Sequence, residues 1–409
     1  MAGSNNVMRA SLRAPLAFLL ALLICGPVVR AASPHAGVAV RELVTTGSSG
    51  VLYQYPLPGA IAVDPETGIG IRATVPFQAD EGSVIATVTG SRSGLHAVSL
   101  KWVLQGRMLL LHPLTPLALG EQVNVRVRAG LSDGHLLEDA FTFQVKAQLL
   151  TSAECTTLAE SLRELPAFKT PRPADAHSSD SLPLMITVDR GASKGTFYLA
   201  NLGWMPLPSG SFLAALSERG RVLHDSDLGA SSAMDLKRQP NGMLTYFDNV
   251  QLKYYGLDSA WNVIDSFAVV RSYLPDGHDL RVFPDGSYAL IGATENALDM
   301  QQFVKGGNTN ANVVGGLIQL FDKDDNIIFQ WRGIDHFDVM DAQHVNFLAP
   351  SIDFEHCNSI EFERPQAHSV EEAGNLIISS RHMSEITKID ATSGRILWRF
   401  GGKHNAFRL

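Results

Sequence analysis

The alternation of apolar and polar positions divides this chain into short strands rather than helices. Ile69, Ile71, Ala73 and Val75 alternate with Gly70, Arg72 and Thr74, and Val123, Val125, Val127 and Ala129 alternate with Asn124, Arg126 and Arg128. A period of two sends one set to a buried face and the other towards solvent, so each run predicts a half-buried strand. Trp102 to Leu104, a turn at Gly106 and Met108 to Leu111 predict a hairpin, and Asp133-Gly134 marks a second tight turn. Residues 45–146 therefore read as a β-sandwich. Residues 147–183 read as a short helix, Ser152 to Leu165, and a linker in which Pro166, Pro171, Pro173 and Ser178-Ser179 resist regular structure.

Beyond residue 183 the pattern repeats. One element is an apolar strand, a turn and a second apolar strand. It occurs as Phe212 to Leu223, Tyr255 to Phe267, Ile318 to Trp331 and Ile386 to Trp398. A second element precedes three of these. Asp235-Leu236 leads to Pro240-Asn241-Gly242 and an apolar strand, and 44 residues later Asp279-Leu280 leads to Pro284-Asp285-Gly286 and Tyr288 to Ile291. The third copy, Ser359-Ile360 to Gly374 and Leu376 to Ser380, is looser. Two hairpins make four antiparallel strands, the unit of a propeller blade, and repeats of roughly 40 to 45 residues suit one. The expected fold is all-β: a β-propeller over residues 184–409, with four blades visible, behind the sandwich. No strand is seen that would close the ring onto Met185 to Val188, so the propeller is expected to be incomplete in this sequence.

The amino-terminal pattern is different in kind. Arg9 and Arg13 precede an apolar run from Ala14 to Ile24, and Ala31 offers a small residue for cleavage. Residues 1–31 read as a secretory signal peptide, too short in its apolar part to span a bilayer, and the expected location is periplasmic or extracellular. Cys155 and Cys357 then remain, too few for a disulfide framework, and the sequence leaves open whether they pair.

Composition narrows the partners. Hydrophobic residues make up 45% and charged residues 18%, as in ordinary globular chains. A net charge of -8 without a Lys/Arg block argues against nucleic acid or an anionic membrane surface. Small ligands fit better. Neither a Walker loop, which Gly191 to Gly195 fails in spacing, nor a G-x-S-x-G elbow is present.

Three side chains stand where leading loops would converge on a channel: His278 before the third inner strand, His356 before the fourth, and Arg381 at that strand's end. Two imidazoles and a guanidinium make an anion site that also moves protons. Taken singly, His278 reads as an ordinary surface or hydrogen-bonding residue, Arg381 as an anion-binding group ahead of a structural partner for Glu361 or Glu363, and Asn358 as a turn residue or a group orienting His356. His382, next to Arg381, is expected to face the other way. Asp335, His336, Asp338, Asp341, His344 and Asp353 could be drawn as a metal cluster, but their irregular spacing and loop location read as a solvated, polar inter-blade loop, with hard-cation binding the lesser alternative; no metal and no cofactor are expected. Trp331 and Trp398 read as packing residues.

Asp353 to Ile360 with its H-x-N-S, Leu376 to His382 with S-S-R-H, and Trp398-Arg399 with Gly401-Gly402 resemble, in that order, the bacterial arylsulfate sulfotransferases; Asp276-Gly277-His278-Asp279 fits the upstream part. The resemblance spans about residues 184–409 and implies a six-bladed propeller that passes a sulfuryl group from a phenolic sulfate ester to a phenol without a nucleotide. It implies catalytic roles for His278, His356 and Arg381, with Asn358 binding substrate, and a ping-pong route through a sulfohistidine. The family's attacking histidine lies in a Q-H motif after W-R-x-G-G. Leu409 follows too soon for a counterpart, and His404 is too close to the Gly pair to match. A non-catalytic secreted propeller that binds a ligand or protein is the alternative. Residues 45–146 resemble bacterial Ig-like domains, which implies spacing or docking rather than catalysis.

Overall fold

The computed structural model describes residues 50–78, 80–148, 191, 193–200, 211–229, 232–270 and 273–408. The signal peptide, the helix at Ser152 to Leu165, the linker, Cys155 and Met185 to Val188 lie outside them. The described chain is all-β apart from four short 3-10 turns.

Eight strands build the first region: β1 (Val51–Tyr55), β2 (Ile69–Ala73), β3 (Val84–Gly90), β4 (Gly94–His96), β5 (Val98–Val103), β6 (Met108–Pro113), β7 (Gln122–Gly130) and β8 (Leu136–Gln144). They form two antiparallel sheets, β1-β2-β6-β5 and β4-β3-β7-β8. Ile69, Ile71, Leu109 and Leu111 of the first sheet meet Val88, Val123, Val125, Phe141 and Phe143 of the second in one apolar core, which is the sandwich that the alternation predicted. The two hairpins fall where Gly106 and Asp133-Gly134 placed them.

The second region is a series of antiparallel meanders. β9 (Thr196–Ala200), β10 (Ser211–Ser217) and β11 (Val222–Gly229) form three strands in the order β11-β10-β9. β12 (Ala233–Arg238), β13 (Leu244–Asp248), β14 (Lys253–Leu257) and β15 (Val263–Phe267) form the next sheet in chain order. β16 (Leu274–Val282), β17 (Tyr288–Leu298), β18 (Ala311–Phe321) and β19 (Ile327–Arg332) follow, with β20 (Ser351–Asp353) added parallel to β18. β21 (Cys357–Phe362), β22 (Leu376–Ser380), β23 (Glu385–Ile389) and β24 (Ile396–Gly401) complete the set. Every hairpin read from the repeat is present.

Each sheet packs on the next through its leading strand, β12 beside β16 and β16 beside β21. Side chains rather than a backbone ladder join these strands. Gln239 donates from Nε2 to Leu280 O (2.9 Å) and accepts from Val282 N (3.0 Å). Lys237 bridges Asp235 (2.7 Å) and Asp279, whose other oxygen accepts from Ile360 N at 2.8 Å. One polar chain thus crosses three leading strands.

The sandwich is clamped to strand β19 and to the turn between β23 and β24. The buried Arg72 guanidinium donates to the carbonyls of Ile328 (2.7 Å), Ala391 (2.9 Å) and Thr392 (3.2 Å). Arg332 donates back to Ile61 O at 2.7 Å. The Tyr53 hydroxyl bonds both backbone groups of Gln330, and its ring stacks on Phe329 at 5.0 Å. Buried charge-assisted bonds of this kind fix orientation, because losing one partner leaves the other unsatisfied.

Two readings of the sequence need correction. The Asp335 to His344 stretch is only partly a solvated loop: Asp338 and His344 are exposed, but Asp335, His336 and Asp341 are buried. Asp335 pairs with Arg332 (3.2 Å), Asp341 pairs with Arg399 (3.0 Å) and His404 (2.8 Å), and His336 stacks on Trp331 at 4.4 Å. Burial holds His336 neutral, its pKa pushed down to about 3. Irregular spacing and a loop location suggested solvent, but ion pairs hold Asp335 and Asp341 and stacking holds His336 inside the fold, with Asp335 Oδ1 and His336 Nδ1 left without a hydrogen-bond partner among the described residues. The two tryptophans also differ: Trp331 is fully buried, whereas Trp398 is half-buried against Phe407.

Candidate active site

A carboxylate two or three residues upstream holds each of the two central histidines. Asp276 Oδ1 accepts from the His278 backbone N–H (2.8 Å) and faces His278 Nδ1 at 2.7 Å. That contact is the main reason the His278 pKa is raised, against an opposing effect of burial. Asp353 Oδ2 lies 2.5 Å from His356 Nδ1. With Nδ1 occupied in both rings, Nε2 is the nitrogen left for a ligand.

The two rings meet edge to face, centroids 5.2 Å apart and planes at 76°. Both line one pocket of about 90 Å³ with Leu274, Ile291, Gly292, Gly315, Gly316 and Cys357. The chain reaches this arrangement through irregular backbone. β16 departs from its register between Pro275 and Leu280, which turns the Asp276 to Asp279 stretch out of the ladder. His356 has φ 52, the left-handed region that non-glycine residues avoid, and strain of this kind collects at functional sites.

Glu355 anchors the loop from below. Its side chain is fully buried, accepting from Gly316 N (2.8 Å) and from Ser380 Oγ (3.4 Å). Burial is the main cause of a pKa raised to about 7. A Cβ at Gly333 would lie 1.6 Å from Glu355 Oε2, and one at Gly316 would lie 2.9 Å from Oε1, so glycine is what admits this carboxyl.

The sequence-predicted residues are only partly brought together. His278 and His356 share the pocket. Arg381 is beside them through its backbone, its N–H donating to His356 O at 3.0 Å, but its side chain is exposed and does not line the pocket. It forms no ion pair among the described residues, and Glu363, one partner that the sequence suggested, is bound to Lys388. Asn358 is half-buried, and its Oδ1 has no hydrogen-bond partner among the described residues; Asp353 orients His356 instead. Cys357 is a buried free thiol, its pKa raised by burial.

His382 contradicts the expectation that it faces away. Its ring lies 4.9 Å from His356, and its Nδ1 is 2.5 Å from Asp353 O. β22 ends at Ser380, so the two-residue alternation no longer applies at 382. Burial is the main cause of a lowered His382 pKa, which favours the neutral ring. Sequence reasoning also passed over Asp276, Asp353 and Glu355 as supporting groups. The signal was present in the acids that precede His278 and His356.

Residues 185–407, more than half of the chain, match the model of the arylsulfotransferase (ASST) family. The chain belongs to that family. The membership supports a sulfotransferase-type function and agrees with the motif order from Asp276 to Gly402. A comparison with curated proteins gives no match. Among solved structures, CopC from Methylosinus trichosporium OB3b is 21% identical, with 25% of this chain and 100% of that chain covered and a TM-score of 0.22. PcoC from Escherichia coli is 22% identical, with 24% and 97% covered and a TM-score of 0.21. Virginiamycin B lyase from Staphylococcus aureus is 8% identical, with 88% and 86% covered and a TM-score of 0.26. Scores this low carry no argument, so the arylsulfotransferase assignment rests on residues 185–407.

Proposed function

We propose that this member of the arylsulfotransferase family is exported and moves a sulfuryl group from a phenolic sulfate ester to a phenol without a nucleotide donor. The observation that carries the reading is the pair of imidazoles, His278 and His356, each tied by Nδ1 to its own aspartate and meeting over one pocket. In this reading the successive meanders are blades of a propeller and the pocket lies at its channel.

Sulfuryl transfer resembles phosphoryl transfer in spreading negative charge over peripheral oxygens as the S–O bond breaks. Donors already in place stabilise that charge best. His278, protonated with the help of Asp276, donates to a sulfuryl or phenolic oxygen. His356, oriented by Asp353, holds or moves the phenolic proton, and Arg381 swings from its exposed position to neutralise the anion. Asn358 offers its side chain to the same substrate. In the family's ping-pong scheme an imidazole attacks sulfur, a phenolate leaves, and a second phenol regains the group; the residues named here supply the cradle for those steps.

The test is incubation of a full-length protein that carries the family's Q-H histidine with p-nitrophenyl sulfate, with and without a phenol acceptor. Acceptor-dependent release of p-nitrophenol, with a sulfuryl adduct on a histidine by intact mass when the acceptor is omitted, supports the proposal. Arg381→Ala is expected to abolish both. An aryl sulfate that binds by calorimetry but yields no phenol and no adduct supports the non-catalytic alternative.

A further inference from the structure

The loops around His356 hold a second set of donors. Asp353 ends β20, His356 leads into β21 and His382 stands in the turn after β22. Backbone bonds join these stretches without their side chains: Phe354 N to Val314 O (3.0 Å), Arg381 N to His356 O (3.0 Å) and His382 N to Glu355 O (3.2 Å). The side chains then converge. His356 Nδ1 is 2.5 Å from Asp353 Oδ2, and His382 Nδ1 is 3.8 Å from the same oxygen. One donor atom from each residue lies within 4.8 Å of the other two. All three are mostly covered, with side chains 21%, 11% and 18% exposed for Asp353, His356 and His382.

We infer that Asp353, His356 and His382 form a binding site for a divalent first-row transition metal of the zinc class. Two imidazole nitrogens and one carboxylate oxygen suit such a cation better than magnesium or calcium, which prefer oxygen donors. A tetrahedron with bonds of about 2.1 Å has edges of about 3.4 Å. The 3.8 Å separation is already near that edge; the 2.5 Å one requires the His356 ring to move outward by about an ångström, and the His382 ring must turn Nδ1 from its hydrogen bond with Asp353 O (2.5 Å). Water or another external ligand completes the coordination. Two Nδ1–metal bonds and one carboxylate–metal bond form. In each neutral ring the proton leaves Nδ1 and Nε2 carries one in its place; a ring that starts protonated releases one proton to solvent. The His356 nitrogen facing the pocket then becomes a donor without a lone pair. The inference does not depend on the sulfotransferase reading, since it needs only the three side chains and their backbone frame.

The experiment is calorimetric titration of chelator-treated full chain with zinc chloride. One equivalent is expected to bind, with affinity falling about tenfold or more in Asp353→Asn and in His382→Ala. His344→Ala is the control, because His344 is bonded to Ser384 and lies outside the set. Circular dichroism establishes that each variant is folded. Should either site variant fail to fold, diethyl pyrocarbonate footprinting of the wild-type chain supplies the test: zinc is expected to protect His356 and His382 and to leave His344 reactive. Stoichiometry and affinity unchanged by both variants, or no protection of His356 and His382, overturns the inference.

Discussion

The sandwich and the β16–β19 sheet are both antiparallel and both well packed, yet they are built on different terms. In β7 the buried and exposed positions alternate, with Val123, Val125, Val127 and Ala129 inward and Gln122, Arg126 and Arg128 outward. In β18 all eleven residues are buried. A strand covered on both faces has nowhere to put its polar groups except inside, and around β18 they are inside: Thr294, Asn296, Gln319, Gln330, Arg332 and Glu355. Burying them is costly unless they are bonded, so this region spends stability on holding chemistry in place, while the sandwich holds only itself and its dock.

The comparison predicts that changes at the polar interior remove activity, whereas comparable changes in the sandwich do not. Among the groups of the polar interior the largest expected effect is His356→Ala. Loss of a general acid–base group typically costs a factor of 10² to 10⁴, so aryl sulfate turnover should fall about a thousandfold in a variant that circular dichroism shows to be folded. Turnover within a factor of about three of the wild type would remove His356 from the reaction.

Glycine substitutions sharpen the contrast in stability. Gly333→Ala forces a Cβ to within 1.6 Å of Glu355 Oε2, and that carboxyl is held by Gly316 and Ser380. The expected cost is about 3 kcal/mol in urea unfolding. Gly82→Ala in the sandwich meets only Asp80, at 3.4 Å, and should change stability by less than about 0.5 kcal/mol. Equal costs at the two sites would mean that Glu355 is free to move.

Glu355→Gln comes next. A carboxyl whose pKa is raised to about 7 is held protonated by the fold more strongly than in the unfolded chain. The folded state therefore carries more protons between the unfolded carboxylate pKa and about 7, and stability falls as pH rises through that window. Asp235 and Asp335, each raised to about 6 by burial, add to the same slope. Glu355→Gln should recover about 2 kcal/mol at pH 8 relative to pH 5. A variant that loses stability equally at both values would show that the carboxyl contributes as an anion.

This difference also explains what was legible in the sequence. Period-two runs marked β2 and β7, although β2 is buried on both faces, Arg72 included, where its alternation implied one, and the repeat of Asp-Leu with Pro-Asn-Gly or Pro-Asp-Gly marked β12, β13, β16 and β17, because strand periodicity and turn chemistry are local. His278 and His356 were legible from their place in that repeat and from the motif order. Two things were not. His382 was misjudged because alternation was extended past Ser380, where the strand ends. The Asp341–Arg399 pair was read as loop polarity because its partner is set by how the meanders stack, which no spacing along the chain records, whereas Arg332–Asp335 lies only three residues apart and its burial was what the sequence did not show. The exposed side chain of Arg381 belongs to the same class: its position in sequence was clear, its direction was not.

The smallest effect separates a half-exposed site group from the buried ones. The His278 pKa is raised mainly by its bond to Asp276, so the fold favours the imidazolium. That contribution is fully present below the unfolded histidine pKa and is lost as pH rises through the higher folded value, a window lying above the one in which Glu355 begins to act. The side chain is about a third exposed, with 32% accessible, so solvent screens the pair and the stability at stake is less than about 1 kcal/mol. Asp276→Asn should flatten the stability profile above the unfolded histidine pKa, leave the Glu355 slope at lower pH intact, and move the alkaline limb of aryl sulfate turnover to lower pH. A limb that stays in place while the stability profile flattens would show that His278 titrates without donating to the substrate, leaving His356 as the only imidazole of the pair engaged in transfer.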